Sequence, residues 1–225
     1  MTMKESVETT SWTIDPEHDA LVVVDLQPDF MPGGPLAVRG GDEIIEPIAA
    51  LIPRFECVVA TQDWHPQNHI SFASRHRRPA FTTIPLYGGD QTLWPDHCVQ
   101  GSKGAALHRG LPMDDVTLLL RKGIYPHTDS YSAFRENLGP DGKRHTTGLG
   151  AMLSARGITR VFFCGLARDF CVGWSALDAQ QEGFVSFVLN DLTRAVFPEQ
   201  QDQTDAQFAA ASVKHGNSSQ LGGGK

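Results

Sequence analysis

Apolar residues in this chain gather into short dense runs, set apart by stretches of helical spacing and by polar turns. Ala20-Leu-Val-Val-Val-Asp25 is a continuous, largely β-branched run. It has no polar face, so it predicts a strand buried on both sides. Comparable runs follow at Glu56–Thr61, Val116–Leu120, Ile158–Cys164 and Phe184–Leu189. Between them the period changes. Ile44, Ile45, Ile48 and Leu51 fall on one side of a helix spanning Asp42–Phe55. A second helix is predicted over Leu149–Arg156, closed by Gly157, a residue suited to the turn after a helix. A third starts at Asp169, whose carboxylate is a natural N-cap, and ends near Gly183. A last one covers Pro198–Lys214.

Five buried strands with helices between them predict an α/β fold: a doubly wound, mainly parallel sheet with helices on both faces. No internal repeat and no linker divides the chain. Residues 19–213 are expected to form one domain, after a polar N-terminal extension over 1–18. The last segment, 214–225, lacks apolar periodicity and is expected to be disordered. Trp64–Leu111 stands apart, because it is long, proline-studded and without a clear period. Loops of that length in a compact domain tend to carry function.

Composition narrows the function classes. Hydrophobic residues make up 40% and charged residues 20%, as in ordinary globular domains. A net charge of −7 offers no basic face to nucleic acid or an anionic membrane. No apolar stretch is long enough to span a bilayer, and Arg75-His-Arg-Arg78 reads as a solvated loop. Met1–Pro16 lacks the apolar core of an export signal. Cys57, Cys98, Cys164 and Cys171 form no CxxC pair. Free thiols in a cytoplasmic setting are therefore expected. The expected partner is a small molecule, and a homo-oligomer is left open.

In such sheets ligands bind beyond the carboxyl ends of the strands. Those ends carry a particular set of polar residues. The first strand ends at Asp25, the second runs into Asp63-Trp-His65, and the third ends in Arg121-Lys122. The fourth leads through Gly165-Leu-Ala-Arg-Asp-Phe to Cys171. Alone, Asp25 could be a strand-end cap, Lys122 a solvated charge and Cys171 a small core residue. Together they are the equipment for acyl transfer. A helix start and a nearby ammonium favour a thiolate. A carboxylate can take the thiol's proton and return it to a leaving group. Backbone N–H groups at the turn before Cys171 can hold an oxyanion.

Asp63, His65, His69 and His97 are a second set. One carboxylate with imidazoles suits Zn²⁺, Fe²⁺ or Mn²⁺, although scattered loop histidines are often plain surface residues.

The segments "VVVDLQPDFMPGGPLAV", "TQDWHPQNHISFAS", "LWPDHCVQGSKGAALH", "RKGIYPHTDSYSAF" and "CGLARDFCVGWSALDA" occur in this order from Leu21 to about Arg194. On these segments the chain resembles the nicotinamidase/pyrazinamidase group of the isochorismatase-like cysteine hydrolases. The resemblance implies the isochorismatase-like fold, with Asp25, Lys122 and Cys171 as catalytic triad. It implies Asp63, His65 and His97 as ligands of one divalent metal ion, Zn²⁺ first, with His69 at the metal directly or through water. Phe30 and Trp94 would sandwich a pyridine ring, with Leu36 in the same pocket. The N–H groups of Ala167 and Cys171 would form the oxyanion hole, beside a cis peptide before Arg168.

Two departures stand out. Arg168 replaces the family's more usual Thr, and Arg194-Ala-Val196 replaces Arg-Gly-Ile in a region expected to lie away from the chemistry. The implied reaction is hydrolysis of nicotinamide to nicotinate and ammonia, and of pyrazinamide, through a cysteine thioester, in NAD salvage. Three readings compete with it: an amidase for carbamoyl or ureido substrates, a silent binding module on the same fold, and a redox-sensing thiol. The metal set argues against the first, and the filled triad against the second. The third lacks a resolving cysteine close in sequence.

Overall fold

The computed structural model describes residues 11–224. Its strands in chain order are β1 (Trp12–Ile14), β2 (Asp19–Val24), β3 (Cys57–Asp63), β4 (Thr83–Leu86), β5 (Gly89–Thr92), β6 (Leu118–Lys122), β7 (Arg160–Leu166), β8 (Val185–Arg194), β9 (Lys214–Gly216) and β10 (Leu221–Gly223). The helices are α1 (Ile45–Leu51), α2 (Ala73–His76), α3 (Leu149–Ala155), α4 (Gly173–Gln181) and α5 (Gln201–Ala210).

Six strands form one parallel sheet in the order β6-β3-β2-β7-β8-β9. β2 sits at its centre, and all six of its residues are buried. The chain moves outward from β2 through β3 to β6, then returns to β7 and moves outward the other way. Right-handed crossovers therefore put α1 on one face and α3, α4 and α5 on the other. The reversal falls between β2 and β7. Their carboxyl ends flank the crevice where a doubly wound sheet binds its ligand. The expected fold class is the observed one.

Gly165 makes the central pair possible at that crevice. Its φ is +106°, and a Cβ there would run into the Val24 backbone. Any side chain would push β7 away from β2 where the two active-site strands end.

Residues 1–10 of the expected N-terminal extension lie outside the described residues. The part from Trp12 is β1, which pairs in parallel with β10. The segment from Lys214, expected to be disordered, is likewise built in: β9 adds a sixth strand beside β8, and β10 pairs with β1. Leu221 is buried, the Arg54 guanidinium donates to the carbonyls of Leu221 and Gly223, and an Asn217/Gln220 capping box sets the turn between the strands. One buried leucine and backbone pairing hold this tail, which leaves no apolar period to read.

The helix expected from Asp169 begins instead with a widened turn, Arg168–Val172, in which the Val172 N–H reaches back to the Ala167 carbonyl at 3.0 Å. Asp169 does not cap it. Its carboxylate accepts the N–H groups of Val196 and Phe197 at 2.9 and 2.8 Å, tying the end of β8 to the turn. The last helix is shorter than expected, a 3₁₀ turn at Pro198–Gln200 followed by α5.

Candidate active site

Three strand ends bring the predicted triad together. Asp25 follows β2 with φ +49°, a left-handed conformation that aspartate tolerates better than most residues. Lys122 ends β6, and Cys171 lies in the widened turn after β7. Asp25 and Lys122 are essentially sealed from solvent, and Cys171 is 8% exposed. Lys122 Nζ stands 2.8 Å from Asp25 Oδ2 and 3.3 Å from Cys171 Sγ. It also lies 2.8 Å from Asp63 Oδ1 and donates to the Ser130 carbonyl at 3.1 Å. One ammonium thus joins the triad to the second residue set.

Burial sets the electrostatics here. It opposes the charge on Lys122, but Asp25, Asp63 and Cys171 outweigh it and hold the ammonium well above its ordinary pKa. Burial raises Asp25 above the ordinary carboxylate range, and Lys122 only partly reverses this. The Cys171 thiol is pushed well above its ordinary value by burial. The attraction of Lys122 is offset by the Asp25 and Asp63 carboxylates. The sequence pattern favoured a depressed thiol; in the enclosed site burial raises it instead.

Asp25 Oδ1 accepts the Thr61 hydroxyl at 2.6 Å, and Asp25 Oδ2 faces the Lys122 ammonium at 2.8 Å.

The second set gathers around Asp63. Gln27 grips that residue's backbone from both sides, donating to its carbonyl at 2.8 Å and accepting its N–H at 2.7 Å. Asp63 Oδ2 is 2.9 Å from His65 Nε2 and 3.4 Å from His97 Nε2. Burial works against the Asp63 charge, yet His65 and Lys122 hold its carboxyl well below the usual range. Each of these imidazoles donates its Nδ1–H to a carbonyl: His65 to Gly123 at 3.0 Å, His97 to Pro95 at 2.7 Å. That leaves both Nε2 atoms turned to the Asp63 carboxylate, which accepts an N–H from them; a metal bound among the three would take the place of that proton, and the Nδ1 contacts already set the ring orientation a ligand needs. Asp63, His65 and His97 are all buried and bring one ligand atom each within 4.8 Å of one another. Two imidazoles and a carboxylate fit a divalent ion with further positions open.

His69 differs from them. It stacks on His65 with ring centroids 4.1 Å apart, but its Nε2 faces the Thr128 carbonyl at 3.1 Å and its Nδ1 the Ser71 hydroxyl at 2.7 Å. A carbonyl only accepts, so Nε2 carries the proton and Nδ1 takes the hydroxyl's. His69 also brings a ligand atom within 4.8 Å of ones from His65 and Asp129, a second buried group that could hold a metal ion. Burial lowers its pKa to about 4, and His65 adds to that.

Between the two sets lies a pocket lined by Phe30, Leu36, Trp94, Ala167 and Cys171, as expected from the sequence. Asp129, Tyr131, Phe170 and Val196 line it too. Sequence reasoning missed the first three and placed Val196 away from the chemistry. Asp129 and Tyr131 lie inside "RKGIYPHTDSYSAF", so the motif was legible but their roles were not. Trp94 Nε1 donates to Tyr131 Oη at 3.1 Å, Gln91 donates to Asp129 at 2.7 Å, and Phe170 meets Trp94 edge-on. The cis peptide falls one bond earlier than expected, between Leu166 and Ala167. Arg168 turns away from the pocket: its guanidinium pairs with Asp205 at 2.5 Å and lies 5.0 Å from the Phe208 ring centre.

The isochorismatase domain matches residues 19–215. The chain belongs to the isochorismatase family. Within that family it is similar to the nicotinamidase of Acinetobacter baylyi, at 50% identity over 79% of this chain and 81% of the relative. Among solved structures it is similar to PnC1 of L. infantum in complex with nicotinate, with TM-score 0.83, 40% identity, and 94% and 98% of the two chains covered. It is also similar to a Pyrococcus horikoshii pyrazinamidase in complex with zinc, with TM-score 0.72, 36% identity, and 90% and 99% covered. The β2/β7 crevice, where these residues gather, is the candidate active site. No helix among the described residues is long and apolar enough to cross a membrane.

Proposed function

We propose that the protein hydrolyses nicotinamide to nicotinate and ammonia, and pyrazinamide likewise, through a thioester on Cys171. Such a reaction serves NAD salvage. The observation that carries the reading is the contact of one buried ammonium, Lys122 Nζ, with Asp25, Cys171 and Asp63 at once.

Phe30 and Trp94 clasp the pyridine ring. Asp63, His65 and His97 would hold a divalent ion, Zn²⁺ in the first instance, and it would supply a Lewis acid for the ring nitrogen. Asp25 takes the Cys171 proton as sulfur attacks the amide carbon. Burial raises its pKa and makes it a stronger base than an ordinary carboxylate. The N–H groups of Ala167 and Cys171 receive the oxyanion. The C–N bond breaks as Asp25 protonates the departing nitrogen, and ammonia leaves. Water, deprotonated by Asp25, then cleaves the thioester, and the proton returns to sulfur. Lys122 keeps its charge throughout and offsets each anion in turn.

Cys171→Ala is expected to abolish ammonia release while leaving metal content unchanged. Substantial residual turnover in that variant would sink the thioester route. A metal-free preparation fully active on ureido amides would favour the rival amidase.

A further inference from the structure

A second cavity, of about 660 Å³, lies behind the catalytic pocket. Leu120, Ile124, Tyr125 and Pro140 give it an apolar lining, and Glu136 enters its wall. That volume is in the range of small-molecule sites. The thin partition between the two spaces is the strap Gly123–Ser130: Thr128 faces the rear cavity and the adjacent Asp129 the catalytic pocket.

Glu136 is the unusual group. The residue is 6% exposed, and its Oε2 has no hydrogen-bond partner among the described residues. Other charges around the cavity are already committed. Arg121 donates to Gln62 and stacks on Trp64, His145 pairs with Asp141, and His127 faces Arg75. Buried carboxylates are normally paired. One left open on the wall of a roomy apolar cavity is a receptor for a cation.

The strap gives such a ligand a route to the chemistry. Its carbonyls orient three site residues: Gly123 holds His65, Thr128 holds His69 and Ser130 holds Lys122. We propose that this cavity is an effector site for a small organic cation, an ammonium or amidinium on an apolar body, paired with Glu136 and felt at the catalytic pocket through the strap.

Burial also pushes the Glu136 carboxyl up to about 7, helped by Asp129 and opposed by His145 and Lys122. The folded pKa is above the unfolded one, so ionisation favours unfolding. Stability falls as pH rises from the ordinary glutamate value toward about 7 and is lowest above that. Glu136→Gln removes this burden, so it is expected to fold and to melt higher than the parent at pH 8.

The probe is benzylammonium, titrated calorimetrically into the metal-loaded protein at pH 8, with neutral benzyl alcohol as comparator. Benzylammonium is expected to bind the parent at least tenfold more tightly than E136Q, and benzyl alcohol to bind both alike. Nicotinate is expected not to displace it. At saturation it is expected to change kcat or KM for nicotinamide at least twofold in the parent and not in E136Q. Tyr125→Ala, which removes an exposed wall, is expected to weaken binding severalfold. The proposal is overturned if E136Q binds benzylammonium as tightly as the parent or melts no higher at pH 8. It is also overturned if nicotinate competes, or if saturating benzylammonium leaves parental kinetics unchanged.

Discussion

The two ends of the catalytic pocket are built on different principles. At the nucleophile end, Asp25, Lys122 and Cys171 stand on or just past the ends of three parallel strands, and side chains position one another. At the metal end, loops supply His65 and His97, and backbone carbonyls aim them. A sheet fixes the spacing of its own strand ends; a loop must be fixed by whatever it touches. The nucleophile end should therefore tolerate loop substitutions that ruin the metal end. Lys122 and Asp63, paired at 2.8 Å, are where the difference vanishes.

The largest effect is expected where the two ends meet. Lys122→Met leaves Asp25, Asp63 and their burial in place with the shared cation gone. Removing one partner of a buried pair costs about 3–5 kcal/mol. We expect a large fall in Tm and loss of turnover by about 10³-fold or more, on the scale of other charge-stabilising groups in enclosed sites. Retention of parental kcat by a folded K122M protein would mean that the ammonium is a structural counter-ion only.

His97→Ala should separate the ends. Its imidazole touches Asp63 and Phe30 but none of the triad. Metal content after dialysis is expected to collapse, and amide hydrolysis with it. Alkylation of Cys171 by a small haloacetamide is expected to keep its parental rate within about threefold. A matching collapse of thiol reactivity would show that the nucleophile end depends on the metal end.

How much of this was legible in the sequence follows the same division. β-branched runs marked the central strands, and Asp25, which follows the fully buried β2, pairs with Lys122, which ends β6, a half-exposed edge strand whose apolar run alone did not show which face is covered. The candidate metal ligands were legible as residue types in a motif, whereas their geometry was not. Nothing in "TQDWHPQNHISFAS" tells that His65 turns its Nε2 to Asp63 while His69 turns its nitrogens to Thr128 and Ser71. Those partners are 2 to 59 residues away in sequence. Asp169 misled for a related reason. An aspartate at a helix start is a good cap, yet here its carboxylate closes a tertiary contact with Val196 and Phe197. The C-terminal strands were illegible because backbone pairing carries them, with no buried side chain in β9 and only Leu221 in β10.

A subtler break concerns aim alone. Gly123 has φ +63°, and a Cβ there would collide with the His65 ring. Gly123→Ala keeps every ligand but forces the strap off the imidazole that its carbonyl orients. Loss of such an orienting partner typically costs about 10–100-fold in metal affinity. We expect a competitive chelator titration to show a loss in that range, with Cys171 alkylation again near parental. An unchanged affinity would mean that His65 is aimed by its stacking on His69 rather than by the carbonyl.

The smallest effect tests the wall between the ends. Trp94 is held by one hydrogen bond to Tyr131 and by edge-on contact with Phe170 at 4.8 Å between centroids. Trp94→Phe keeps an aromatic face for the ring but removes the indole N–H, leaving Tyr131 Oη without that donor. Such a bond contributes about 1 kcal/mol net, a factor of about 5 in an equilibrium. The wall touches the bound ring in ground state and transition state alike, so the loss should fall on KM, with kcat within about twofold of parental. If kcat fell instead and KM held, Trp94 would be placing the amide carbon over Cys171. The wall would then belong to the nucleophile end.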